Sequence, residues 1–288
     1  KAFSPEQIAA FGLTDSGYDA SVITAFSGAQ LAAFTPYQAQ FGLATGQINA
    51  FSSSQVLSLS TGQIQVIGAD QIDAIKTENV KALSATQLKV MTADQLNALE
   101  DNAGEQLSAT QILALTGDQL NVITEFSDAQ IKQLSVKQVQ SLTEDQLRSL
   151  DPTQVAALTS AQVQSLTTAQ MGAIDILGSQ ITSLSTKQLA ALTTDQVQGI
   201  GTDQITALTG TQMKALSTLQ VSALKDTQVK LLSASQVRSM TNAQVAAFTS
   251  DQIGALSAAN IGALNTSQIQ ALTNDQIESL SDEQVGAL

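Results

Sequence analysis

The chain has no cysteine, no histidine and no tryptophan in its 288 residues, only three prolines, and 12 basic side chains against 25 acidic ones. Each shortage closes off a class of chemistry. Without histidine or cysteine there is no Ser-His-Asp or Cys-His nucleophile, no zinc site of the usual ligand types and no His- or Cys-ligated haem. An enzyme is therefore not expected, and no catalytic, cofactor-binding or metal-binding residue is assigned. A net charge of −13 with no cluster of Lys or Arg argues against nucleic acid and against an anionic membrane surface. No apolar run approaches the ~20 residues that cross a bilayer, and no basic segment leads into an apolar one at the N-terminus, so no membrane insertion is expected. A chain without disulfides suits large bacterial surface proteins as well as the cytosol. The expectation taken is an extracellular or cell-surface location.

What the sequence has in abundance is a repeat of eight residues. From Leu177 to Leu288 it runs without interruption, as in Ser185–Leu192 (STKQLAAL) and Thr249–Leu256 (TSDQIGAL). Extended backwards with short breaks, the consensus [Ser/Thr]-x-x-Gln-[Ile/Val]-x-Ala-Leu gives 34 octads in blocks beginning at Ser4, Asp19, Ala44, Ser127 and Leu177. Position 4 is Gln in 30 of them, the departures being Val22, Asn79, Ala103 and Asn260. Position 5 is aliphatic except at Ala39 and Gly104, position 8 is apolar except at Gly42, and position 7 is usually Ala, Ser or Gly. Positions 2, 3 and 6 vary and carry most of the charge. Columns 4, 5, 7 and 8 thus read as the inward face, and 2, 3 and 6 as the solvent face.

Ser/Thr-x-x-Gln before an apolar pair is a capping box, in which the hydroxyl takes the N3 amide and the Gln side chain returns to the N-cap amide. Each octad is expected to start a helix. Pro5, Pro36 and Pro152 all fall at position 2, the first helical residue, where a missing N–H costs nothing. One continuous helix fails, because at about 100° per residue eight residues advance about 800° and the apolar stripe would drift by about 80° per octad. The chain must turn in every octad, into helices of about one and a half turns. Such helices are far below the ~12 residues needed for independent stability, so they must stack.

The expected fold is all-α, a solenoid of very short capped helices, one per octad, with a β-solenoid as the alternative. Asp70, Asp94 and Asp118 recur every 24 residues, as do Asp251 and Asp275, which hints at three octads per coil. Residues 1–51, holding six of the eight Phe (Phe3, Phe11, Phe26, Phe34, Phe41 and Phe51), read as an end segment with irregular octads. Residues 52–288 read as the regular array, with extra residues near 124–126 and 175–176 that bend or rephase it. The whole is expected to be a piece of a longer array.

Residues that could carry function have plainer readings beside them. The Gln column could be a ligand ladder, yet capping and amide bonds between coils account for it. Met91, Met171, Met213 and Met240 occupy core columns. The first-turn Asp column forms no Asp-x-Asp-x-Asp-Gly calcium loop. Paired acids such as Glu144–Asp145 lie at positions 2 and 3, where they suit a helix start. Tyr18 and Tyr37 are too few for an aromatic platform.

The units at 192–197 (LTTDQV) and 157–163 (ALTSAQV) resemble the Leu-Thr-x-x-Gln-[Val/Ile]-x-Ala-Leu arrays of very large repetitive secreted or surface proteins of Gram-negative bacteria. These are of the haem utilisation or adhesion type and resemble adhesins exported by type I or related pathways. The Gly-Gly-x-Gly-x-Asp calcium repeats of many exported adhesins are missing here, and the lack of His and Cys leaves the haem role without ligands. The resemblance implies a non-enzymatic structural or adhesive element, a spacer or scaffold of a bacterial surface protein. Its implied partners are copies of itself, other surface proteins or glycans. The alternative is a solenoid that binds a peptide or glycan on its concave face.

Overall fold

The computed structural model of the chain describes residues 4, 7, 22, 24–103, 107–174 and 180–288. The first break, Gly12–Tyr18, lies outside the described residues, as do Phe3, Phe11, Gly104 and the two residues 175–176. Among the described residues there are thirty α-helices, one 3-10 turn and no strand. The expected all-α array of short helices is therefore what the sequence forms. The chain divides into two compact units, residues 1–142 and 143–288.

Within each unit the octad behaves as one device. The N-cap residue is extended, as at Ser217 (φ −71°, ψ 163°), its oxygen accepts from the N3 amide, and the N3 Gln returns to the N-cap N–H. In Ser233–Met240 the two bonds are Gln236 N–H to Ser233 Oγ at 3.2 Å and Ser233 N–H to Gln236 Oε1 at 2.8 Å. The helix then runs five or six residues in most octads, and Leu at position 8 returns to extended backbone, as at Leu192 (φ −59°, ψ 142°). Two consecutive extended residues, position 8 and the next cap, turn the chain. Pro36 and Pro152 open their helices as expected. Where the cap has no hydroxyl, at Ala44, Gly68, Gly201 and Lys225, only the Gln half of the box remains, and the helix still starts there.

Burial follows the columns. Val197, Ile205, Met213 and Val221 at position 5 are fully buried, and Leu208, Leu216 and Leu224 at position 8 nearly so. The four methionines are core residues. Position 7 is half-buried because it meets the next coil: an added Cβ on Gly117, at position 2, would lie 2.7 Å from the Ser141 Cβ, at position 7 two octads later, beyond the insertion at 124–126. Gly28 faces Ser58 in the same way. The missing side chain at position 2 makes room for the hydroxymethyl group at position 7.

Four details depart from the pattern read in the sequence. Leu43, assigned to a break, is the core residue of its octad: it is buried, while Gly42, which has no side chain to bury, ends the helix Pro36–Gly42. The octad 100–107 opens inside the preceding helix. Its first residue is Glu100 and its fourth Ala103, so it lacks both halves of the box, and the preceding helix continues as Ala93–Ala103. In the octad 177–184, whose first residue is Leu, the described turn is the 3-10 segment Ile181–Ser183. The coil repeat also differs from three octads, as the glutamine geometry makes clear.

Candidate functional site

The thirty-fold glutamine column is the one feature dense enough to be a site, and its geometry shows what it does. Gln236 is buried; its Nε2 donates to the carbonyls of Ile205 and Leu208, both at 2.8 Å, 31 and 28 residues earlier. Gln228 does the same to Val197 and Ile200, and Gln220 to Leu189 and Leu192. Each amide joins positions 5 and 8 of the octad four places back. Helix-to-helix packing in the uninterrupted stretch meanwhile pairs an octad with the one three places away, Thr186–Ala191 on Gly210–Ala215 and that on Ala234–Ser239. A coil therefore holds about three and a half octads. Within each unit, an octad tied in this way straddles two octads of the coil below it, as bricks do in a wall. A half-integral coil removes any need for an odd/even or three-octad period, so the 24-residue recurrence of Asp70, Asp94 and Asp118 does not mark the turn. These carboxylates are exposed in separate first turns.

Both ends of the Gln side chain are thus used: Oε1 on its own N-cap amide, Nε2 on the neighbouring coil. A buried amide left half-satisfied would cost about 1–3 kcal/mol, and this arrangement leaves none of Gln236's groups idle. Asn is one methylene too short to do it. Asn260 reaches only the Leu232 carbonyl, at 2.8 Å, and Asn79 only that of Phe51, at 2.7 Å, and neither returns to its own cap. The breaks are read out by the same bonds. Past residues 124–126, Gln138 bonds Ile112 and Leu115, 26 and 23 residues back, so the three-residue insertion is accommodated by dropping one octad from the step. Beyond 175–176 the spacing becomes 33 and 30 residues, as for Gln196 to Val163 and Leu166, so that insertion adds to the step. The step of the bonding thus differs on the two sides of each break.

The outward columns hold little that is organised for chemistry. Arg148 pairs with Glu144 at 2.8 Å and Asp145 at 2.7 Å within one helix. Asp151 caps Pro152–Ala157; its carboxylate accepts from the Thr153 hydroxyl and from the Gln154 and Thr153 amides, which holds its pKa below the usual carboxylate value. Tyr37 and Phe41 form an exposed ring pair 4.8 Å apart on the helix Pro36–Gly42. Sequence reasoning set Tyr37 aside; its i, i+4 spacing with Phe41 was the signal that they meet. No helix among the described residues is long and apolar enough to cross a membrane.

These ties span 28 to 33 residues, and a repeat of that length is what comparison with known families finds. Four stretches match the ALTTAQ repeat. They are residues 142–175, 179–210, 227–258 and 258–288, with 176–178 and 211–226 left between them. Each ALTTAQ match is about four octads long, the distance from a Gln to the octad it bonds. A search of the curated proteins finds no match.

Proposed function

We propose that the chain is a non-enzymatic structural repeat element, a spacer or scaffold of a bacterial surface or extracellular protein, with adhesion or self-association carried by its variable outward positions. One observation carries the reading: the residue type most suited to ligand recognition, the Gln column, is spent on holding coil to coil. What is left outward at positions 2, 3 and 6 changes from octad to octad, as a surface under little chemical constraint would. The ALTTAQ matches support a repeat array, and the resemblance to large repetitive surface proteins supports the location.

A spacer has a length set by its repeat count. Because successive octads are interchangeable in the bonding scheme, removal of Thr241–Leu256, two whole octads, lets Gln268 take the carbonyls of Val221 and Leu224 that Gln252 uses. The expected result is a smaller maximum dimension in solution scattering with unchanged ellipticity per residue. An unchanged dimension, or loss of helix throughout, contradicts the reading.

The second reading, a solenoid that binds glycan or peptide, is favoured by the exposed Tyr37–Phe41 pair, since aromatic faces stack on sugar rings. A glycan and peptide array with a hit that is lost in Tyr37→Ala supports it; an array without hits removes it.

A further inference from the structure

The way coils are joined has a mechanical consequence. Among the described residues, the backbone hydrogen bonds run to carbonyls three or four residues earlier, inside an octad. The hydrogen bonds between coils are those of Gln and Asn side chains, as from Gln244 to Met213 and Leu216. Among the described residues of each unit, the well-packed helix pairs are those of chain neighbours and adjoining coils. Local contacts of this kind make a nearly one-dimensional stack, whose parts open in sequence and not all together. The octads 273–280 and 281–288 show what a partly covered octad looks like. Ile277 and Val285, in a column that is buried in most octads, are 51% and 53% exposed, yet both octads keep their helix and complete capping box.

We infer that the chain is an extensible tether: tension along it peels octads from the stack one or a few at a time, and slack lets them rewind. Each peeled octad gives up its Gln ties and its apolar pair, while the octads beneath keep their own boxes. The inference rests on the spacer reading and adds to it that the spacer yields gradually under load.

The test is single-molecule pulling of the full chain between two handle domains of known unfolding force. The expected trace lengthens in increments of about 28 Å or small multiples of it, eight residues at about 3.5 Å each, below the force that opens the handles, and retraces on relaxation. One or two abrupt ruptures, each releasing about 500 Å as all of residues 143–288 would, overturn the inference; the spacer reading then survives as a rigid spacer, since it stands or falls on the octad-deletion measurement. Gln236→Asn provides the second arm. Asn260 shows that an octad with Asn at this position folds, so the variant should keep its ellipticity and yield one early increment at lower force. A trace identical to that of the parent chain would refute the role given to the Gln ties.

Discussion

Replacing Gln236 with Leu removes four side-chain hydrogen bonds while keeping most of the side-chain volume, one of them the bond that Oε1 accepts from the Ser233 hydroxyl at 3.0 Å. The carbonyls of Ile205 and Leu208 each lose a donor at 2.8 Å, and the Ser233 amide loses an acceptor at 2.8 Å. Ser233 is exposed, so water can replace its partner; the two carbonyls are buried between coils and cannot be served in that way. At about 1–1.5 kcal/mol for each orphaned carbonyl and a few tenths for the cap, the local cost is about 3 kcal/mol. In a stack with only near-neighbour contacts this appears as local opening and not as a uniform shift of the whole chain. Hydrogen exchange of peptides spanning 201–240 should therefore quicken by about 100-fold, at 1.4 kcal/mol per decade, with little change beyond one coil on either side. Gln198, at the exposed position 6, provides the control: Gln198→Ala should leave exchange unaltered. Less than a threefold change in Gln236→Leu would refute the claim that the column ties the coils.

Removing core volume should cost more. Ile205 is fully buried, and Ile205→Ala should destabilise its coil by about 2–5 kcal/mol, read as earlier urea-induced exposure in the same peptides. Gly28→Ala places a Cβ 2.9 Å from that of Ser58 and should destabilise despite the better helix propensity of Ala, with Ser58→Gly restoring stability in the double variant. Arg148→Ala should shift urea unfolding by less than about 0.5 kcal/mol, because its partners are exposed within one helix. Asp151 has its carboxyl pKa lowered by the cap, so its stabilising share is present above the unfolded value of 3.8 and is lost as pH falls through the folded one. Carboxylate NMR of Asp151 should show the low titration, and with no histidine in the chain helix content should stay flat from pH 5 to 8.

How much of this was legible beforehand follows from which interactions are local. The capping box, the prolines and the buried columns act within eight residues, so the helix starts and the core were readable from the repeat. The coil repeat was not, because the bond from Gln236 to Ile205 spans 31 residues and leaves no mark in the identity of either residue. Ile and Leu donate only a backbone carbonyl, which every residue type has. The role of Leu43 could have been found: a Gly at position 8 followed at once by Leu says where the apolar side chain has gone. The octad 100–107, with Glu100 and Ala103 at the two box positions, likewise announced the merged helix Ala93–Ala103. The candidate site was legible in composition, a repeated Gln, but whether it faces a ligand or the next coil depends on the coil geometry.

The central claim is that octads coil so that residues 23 to 33 positions apart in sequence touch. The chain has no cysteine of its own, so an engineered pair reports cleanly. Gly117→Cys with Ser141→Cys puts two Cβ atoms together that the fold brings to 2.7 Å, close enough that a small shift reaches the ~3.8 Å of a disulfide. Mild oxidation should close this bond within the monomer, whereas a continuous helix would hold the same residues about 36 Å apart. Two thiols that stay free and reactive in the folded, helical chain would contradict the account.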